Sequence, residues 1–327
     1  MRVFVTGASG AIGRRLVPQL IDAGHEVVGT HNSPESAELL RRLGATPVLL
    51  DLRDAGAVRT AVLANEPEAI VHEATALAHA KFSRNFDKTG AATNELRTKG
   101  TDALLAAARE AGVARFVAQS VAAFNRYARE GGPIKSEDDP LEHDPPAHTH
   151  RSVAALNHLE GAVTDFGGIA LRYGVFYGAP SDGTIEPLRK RQFPMIGSGE
   201  GMWSWIHLDD AAAATTLALE HSEPAIYNVV DDEPAPVREW LPVLAQAVGG
   251  KPPRRFPIWL ARLVAGEAVV VMSTEARGAS NARAKRELGW TPRYPSWRTG
   301  FPAVYSTLRI GEQPSPRPAT RTGRSPG

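Results

Sequence analysis

Met1-Arg2-Val3-Phe4-Val5-Thr6-Gly7-Ala8-Ser9-Gly10-Ala11-Ile12-Gly13 is the stretch whose reading decides the fold. Met1 to Val5 is a short β-branched and aromatic run, the composition of a buried strand. It breaks at once into a glycine-rich turn, and Arg14 to Ile21 then shows helical apolar spacing, apart from Pro18. Strand, glycine turn and helix in that order are the context in which such a turn reads as a nucleotide-binding one. Gly7 is expected to permit the tight turn, Gly10 to let a pyrophosphate approach the backbone, and Gly13 to bring helix and strand close. With Ser9, Ala11 and Ile12 these form the expected cofactor cradle, its free N–H groups at the positive end of the helix. Glycine used only for its positive φ is the alternative reading.

A chain of 327 residues has room for one large domain or two ordinary ones with a full core. Lysine and arginine number 37 against 36 aspartates and glutamates, so no global attraction to nucleic acid or an anionic membrane is expected. The absence of cysteine excludes disulfides, thiolate catalysis and cysteine metal sites. No histidine pair has ligand spacing with a third partner, so no metal is expected. The most apolar stretch, around Ile258 to Met272, is interrupted by Arg262 and Glu267 and is too short to span a bilayer. With no secretory signal ahead of the first strand, a soluble cytoplasmic protein is expected.

The rest of the chain alternates strands with helices. His25–Thr30, Pro47–Leu50, Ala69–His72, Arg115–Ser120, Ile169–Arg172 and Ile226–Val230 read as further strands, and Leu96–Ala111 as a strong helix. That alternation predicts an α/β fold, a doubly wound parallel (Rossmann) sheet whose ligands sit at the carboxyl ends of the strands. The groups expected to line that crevice are Gly7 to Gly13, His31-Asn32-Ser33, Asp51-Leu52, Ala74-Thr75 and Gln119-Ser120. Just past the second strand a carboxylate would bind a free 2′-hydroxyl of the adenosine ribose, and a cation would accommodate a 2′-phosphate. His31, Asn32 and Ser33 offer no carboxylate, which favours NADP over NAD. Residues 129 to 149 read as a surface loop over the crevice mouth, followed by a helix over about 152 to 163. Asp209 or Asp210 is expected to cap the helix that follows Trp205-Ile206-His207. The expected division is a dinucleotide-binding domain over 1–170 with parts of 203–230, a smaller C-terminal substrate lobe over 171–202 and 231–310, and a disordered tail over 311–327.

The order of these segments resembles the extended short-chain dehydrogenase/reductase superfamily, its NAD-dependent epimerase/dehydratase group, over about residues 1 to 300. Thr6 to Gly13 looks like the TGxxGxxG turn, and Asp51-Leu52 like the pair that embraces the adenine. Leu171-Arg172-Tyr173-Gly174-Val175-Phe176-Tyr177-Gly178 is similar to the LRxxNxYGP segment, which implies Tyr173 at the cofactor. Trp205 to Asp210 is similar to FIHVDD, and Lys285 to Trp290 to the LGW/F segment of the C-terminal lobe. The resemblance also implies a Tyr-x-x-x-Lys pair, in which tyrosine moves the hydroxyl proton while lysine lowers its pKa and holds the ribose. None of the six tyrosines has lysine four residues on. With Glu160 set on the glutamate common in that helix, Ser152 and Leu156 take the pair's places, and Arg97 takes that of the asparagine before Gly-Thr.

This pattern resembles the atypical members of the superfamily, among them flavin reductases, isoflavone-type reductases and redox sensors. Ser120, His150 and Tyr127 are the candidate catalytic groups in place of the missing pair, His150 first among the histidines because it immediately precedes the helix. Nucleotide-sugar enzymes of the family place an arginine shortly before the FIHVDD-like segment, and here Met202, Trp203 and Ser204 stand there. Phe176, Trp203 and Trp205, with Phe193, are expected to form an aromatic wall for a small, weakly charged substrate, ordinary packing being the alternative for the tryptophans. The expectation is an NAD(P)-dependent oxidoreductase. Its rivals are a redox sensor that binds NADP(H) without turnover and a non-redox isomerase or lyase. The alanine-rich helices near 97–111 and 152–163 permit a homodimer.

Overall fold

The structure, a computed structural model, describes residues 1–77, 84–123, 126–178 and 185–310, with side chains as far as residue 306; the tail expected to be disordered, 311–327, lies outside the described residues. Seven strands form one sheet: β1 (Arg2–Thr6), β2 (Glu26–His31), β3 (Thr46–Leu49), β4 (Ala69–His72), β5 (Arg115–Val121), β6 (Ile169–Tyr173) and β7 (Ala225–Val229). They lie in the order β7-β6-β5-β4-β1-β2-β3, and every neighbouring pair is parallel. The order reverses at β1, between β4 and β2, which opens a crevice beyond the carboxyl ends of these strands.

Both faces of the sheet are covered, so its central strands read as near-continuous apolar runs. Val3, Val5, Val117 and Leu171 point to the face covered by α1 (Gly13–Asp22) and, from later in the chain, the helix Leu208–Ala218. Phe4, Ile70, Phe116 and Ala170 point to the opposite face, under α2 (Ala55–Asn65), α3 (Thr101–Ala111) and α4 (His150–Phe166). A third cluster, built on Tyr177, Trp205, Trp240, Trp297, Phe301 and Tyr305, gathers the segments outside the sheet. No helix among the described residues is long and apolar enough to cross a membrane.

Three local expectations are corrected. The helix expected over Leu96–Ala111 starts earlier, at Ala91–Glu95, and passes through a π-helical turn, Leu96–Gly100, before α3. The stretch 129–149 is stitched into the molecule: Ile134–Lys135 pairs with Gly278–Ala279, Tyr127 bridges Leu141, and the Lys135 ammonium is buried on the Glu130 carbonyl at 2.5 Å. Neither Asp209 nor Asp210 caps the helix after Trp205. His207 does so, Nδ1 accepting from the Asp209 N–H at 3.1 Å. Asp210 is buried and accepts from the backbone N–H groups of Arg293 (2.7 Å) and Tyr294 (2.9 Å), while its carbonyl accepts from Trp290 Nε1 at 3.1 Å. It thereby pins the C-terminal segment to the sheet domain. Asp210→Ala leaves two donors without their acceptor and is expected to lower the unfolding free energy by about 1–3 kcal/mol in urea titrations.

Candidate active site

The glycine turn is held open by backbone geometry. Gly7 has φ of +74°, and a Cβ there would lie 2.7 Å from the Glu73 carbonyl carbon and oxygen. A Cβ on Gly13 would lie 2.4 Å from the Gly7 and Ala8 carbonyl oxygens, so its role is to seat α1 on the turn itself rather than on the strand. Around Gly10 only the Gly7 carbonyl comes within reach, at 3.0 Å. The N-cap, Ile12, has no side-chain hydrogen bond, so the positive end of α1 faces the crevice without an internal anion. A pyrophosphate fits this arrangement.

At the end of β2, His31 Nδ1 is buried without a partner, Asn32 is exposed, and Ser33 caps the next helix by accepting from the Ser36 N–H at 3.2 Å. Asp51 follows β3, its carboxylate held by Arg53 Nη2 at 2.7 Å and Nε at 2.9 Å, which keeps it below the usual carboxylate range; Leu52 is buried in the core. Ala74 and Thr75, half-buried, follow β4.

The crevice floor carries a separate polar network on each face of the sheet. On the α1 face, Tyr173 donates to Glu73 Oε1 at 3.0 Å and meets Thr215 Oγ1 at 2.6 Å. Gln119, with its amide nitrogen turned to the carboxyl, donates to Glu73 Oε2 at 3.1 Å. Burial pushes Glu73 up to about 8 and raises the Tyr173 hydroxyl well above its ordinary value. On the α4 face, Glu160 accepts from Ser120 Oγ (2.5 Å), Arg126 Nη2 (2.5 Å), and Arg172 Nε (2.9 Å) and Nη2 (2.8 Å). Burial works against its charge, but the Arg172 hydrogen bonds and the Arg126 charge hold it below the ordinary range. Tyr127 donates to Asn228 Oδ1 at 2.5 Å and accepts from Arg172 Nη1 at 3.1 Å.

These networks hold two of the expected catalytic groups. Ser120 is fully buried with its hydroxyl on Glu160, and Tyr127 is 1% exposed with its hydroxyl between Asn228 and Arg172. Ser120 lies on the α4 side because even-numbered β5 positions such as Phe116 and Ala118 face α4. His150 is exposed at the first residue of α4. Ser152 is tied to Asp87 Oδ1 through both N–H (2.9 Å) and hydroxyl (3.1 Å), and accepts from Asn94 Nδ2 at 3.2 Å; Leu156 is buried. His72, fully buried between Thr6 Oγ1 (2.8 Å) and the Leu96 carbonyl (3.3 Å), is lowered to about 4 by burial and stays neutral.

The residues expected to form the aromatic wall differ in burial. Trp205 is 3% exposed, inside the third cluster against Trp240, with ring centroids 4.8 Å apart. Trp203 is half-buried, donating from Nε1 to the Met272 carbonyl at 2.8 Å, and Phe176 is half-buried against Tyr173 with centroids 5.4 Å apart. Glu73 is the residue that sequence reading missed; its signal was a carboxylate directly after the strand Ala69–His72. Arg97 was noted only as standing at the asparagine position before Gly-Thr, and a cation inside an apolar helical pattern was the further signal.

Glu73 is neutral in the fold around neutral pH, whereas a carboxyl in the unfolded chain is ionised above about 4.5. Folding therefore takes up a proton there, and the stability that this group contributes falls as pH rises from about 4.5 toward 8. Glu73→Gln is expected to flatten the decline of Tm between pH 6 and pH 9 in thermal melts.

Comparison with known proteins bears on this geometry. The family model of the NAD-dependent epimerase/dehydratase family matches residues 3–229. A 3-diazoavenalumate denitrifying reductase from a Streptomyces species is 41% identical over 311 residues, covering 92% of this chain and 99% of the relative. A 2-alkyl-3-oxoalkanoate reductase of Stenotrophomonas maltophilia is 28% identical, with 76% of each chain covered. Among solved structures, the UDP-glucose 4-epimerase of Thermus thermophilus with NAD superposes with a TM-score of 0.72 at 25% identity, covering 96% of this chain and all of the other (100%). A human epimerase family protein with NADPH superposes with a TM-score of 0.71 at 21% identity, covering 94% and 100%. The sheet order, the glycine turn and the matched model have one reading: the chain belongs to the NAD-dependent epimerase/dehydratase family.

Proposed function

We propose that this protein is an NAD(P)-dependent oxidoreductase of the atypical extended type, reducing a small organic substrate, with NADP preferred over NAD. The observation that carries the reading is the uncapped N-terminus of α1 above a turn in which Gly7 and Gly13 leave no room for a Cβ. The similarity to a reductase along nearly the whole length of both chains supports the same chemistry.

In this reading Gly7, Ser9, Gly10, Ala11, Ile12 and Gly13 hold the pyrophosphate, and Asp51 and Leu52 flank the adenine. Ala74, Thr75, Gln119 and Tyr173 border the nicotinamide end. His31, Asn32 and Ser33 receive the adenosine ribose. The unpartnered Nδ1 of His31 and the absence of a carboxylate in this triplet support a 2′-phosphate there. When bound, the nicotinamide supplies a hydride. With Ser152 and Leu156 in the places of tyrosine and lysine, the accompanying proton does not come from a tyrosine held by a lysine. His150, exposed at the start of α4, is its proposed source. Phe176 and Trp203 border the substrate. We assign 1–170 with parts of 203–230 to the cofactor domain, and 171–202 with 231–310 to the substrate lobe.

Titrating NADPH by its fluorescence, then following its oxidation with a panel of small carbonyls, imines, enones and 3-diazoavenalumate, tests the reading. Tight binding with no turnover on any of them would favour a redox sensor, and product without net cofactor change a non-redox enzyme. His31→Ala is expected to weaken NADPH at least about tenfold, roughly 1.4 kcal/mol, while leaving NADH within about twofold. Equal losses for both would remove the case for a phosphate-reading triplet. His150→Gln is expected to lower turnover with little change in the NADPH dissociation constant.

A further inference from the structure

Arg97 sits on the π-helical turn that continues the helix Ala91–Glu95 into α3, the kind of helix defect that clusters at functional sites. It is 7% exposed, its Nε is buried without a partner, and no carboxylate among the described residues pairs with it. The charges that do face it have the wrong sign or none: Arg126 lies close enough to repel it, and His72 beside it is neutral. Glu160, the buried carboxylate paired with Arg126, has no capacity left, since it already accepts from Ser120, Arg126 and two nitrogens of Arg172. A buried guanidinium without a counter-charge is strongly unfavourable, and a fold that keeps one has left a place for an anion.

The position narrows the kind of anion. His72 ends β4 and Arg126 lies five residues beyond β5, so Arg97 stands between the ends of two neighbouring strands, on the α4 side of the crevice. The glycine turn that suits a pyrophosphate lies at the end of β1, on the other side of β4. The π-turn also packs against α4, which carries Ser152 and Leu156.

We propose that Arg97 is a substrate-binding residue that receives a carboxylate, so that the substrate is a small, otherwise apolar organic acid. The guanidinium presents two parallel N–H groups to the carboxylate, the geometry for which arginine is best suited. This rests on the oxidoreductase reading above and deepens it by naming the substrate class. Arg97 fixes the acid at its carboxylate end.

The test uses the full-length protein loaded with NADP⁺ and four probes: benzoate, cinnamate and their primary amides. Wild type is expected to bind each acid at least about tenfold more tightly than its amide by calorimetry. Arg97→Gln is expected to erase that preference and Arg97→Lys to retain part of it, while all three proteins bind NADPH alike. A second readout needs no ligand: Arg97→Met relieves an unpaired buried charge, so its Tm without ligand is expected to rise above wild type. Acids preferred no more than amides by wild type, or a preference that survives Arg97→Gln, would overturn the proposal. So would a lower Tm of Arg97→Met, or a loss of NADPH affinity with acid binding intact. Failure of wild type to bind NADPH at all would instead sink the oxidoreductase reading, which the same titration separates.

Discussion

The Glu160 carboxylate is the interaction on which the rest of the structure depends. It projects from α4 into the layer beneath β5 and β6, where it is 4% exposed, and one carboxylate there binds three strand-borne or strand-adjacent partners: Ser120, Arg172 and Arg126. Burying an ion pair seldom adds much net stability against an apolar core of the same shape. Its value is specificity. Each of the four hydrogen bonds has a direction, so α4 meets the sheet in one register, and the loop after β5 is drawn down with Arg126 and Tyr127.

That arrangement determines which groups remain for chemistry. On both faces of the sheet the polar side chains at the strand ends are committed to one another: Ser120, Tyr127 and Asn228 with Arg172 and Glu160 on one, Gln119, Glu73, Tyr173 and Thr215 on the other. Among the described residues, the buried groups left without a partner include His31 Nδ1 and Arg97 Nε, and the N-terminus of α1 has no side-chain cap. The buried neutral carboxyl of Glu73 touches the glycine turn through its own backbone, so the folding equilibrium and the turn share one titrating group.

Much of the fold was legible because it is written in local periodicity. β4 over Ala69–His72 was read with its exact bounds, and the other strands to within about a residue, since apolar β-branched runs between helical segments leave few alternatives. The π-turn at Leu96–Gly100 was not legible, because an alanine- and leucine-rich stretch carries no local mark of one extra residue in a turn. Nor was the stitching of Ile134–Lys135 to Gly278–Ala279, a pairing of segments more than a hundred residues apart. At the site, the turn residues were legible as a motif, whereas the orientation of Ser120 and Tyr127 was not. Strand alternation decides that Ser120 faces α4, but only the packing of α4 decides that Glu160 waits there.

The sequence by itself determined the architecture and the glycine turn at the end of β1, because strand–turn–helix order and glycine placement act over a few residues through sterics and hydrogen bonding. The tertiary structure alone decided which polar side chains are free. Whether a hydroxyl or a guanidinium is available depends on partners brought to it from distant parts of the chain, and on the water that their packing excludes. Arg97 shows the difference. In the sequence it stands at the asparagine position before Gly-Thr, and only its burial, unpaired with any carboxylate among the described residues, underlies the proposal made for it.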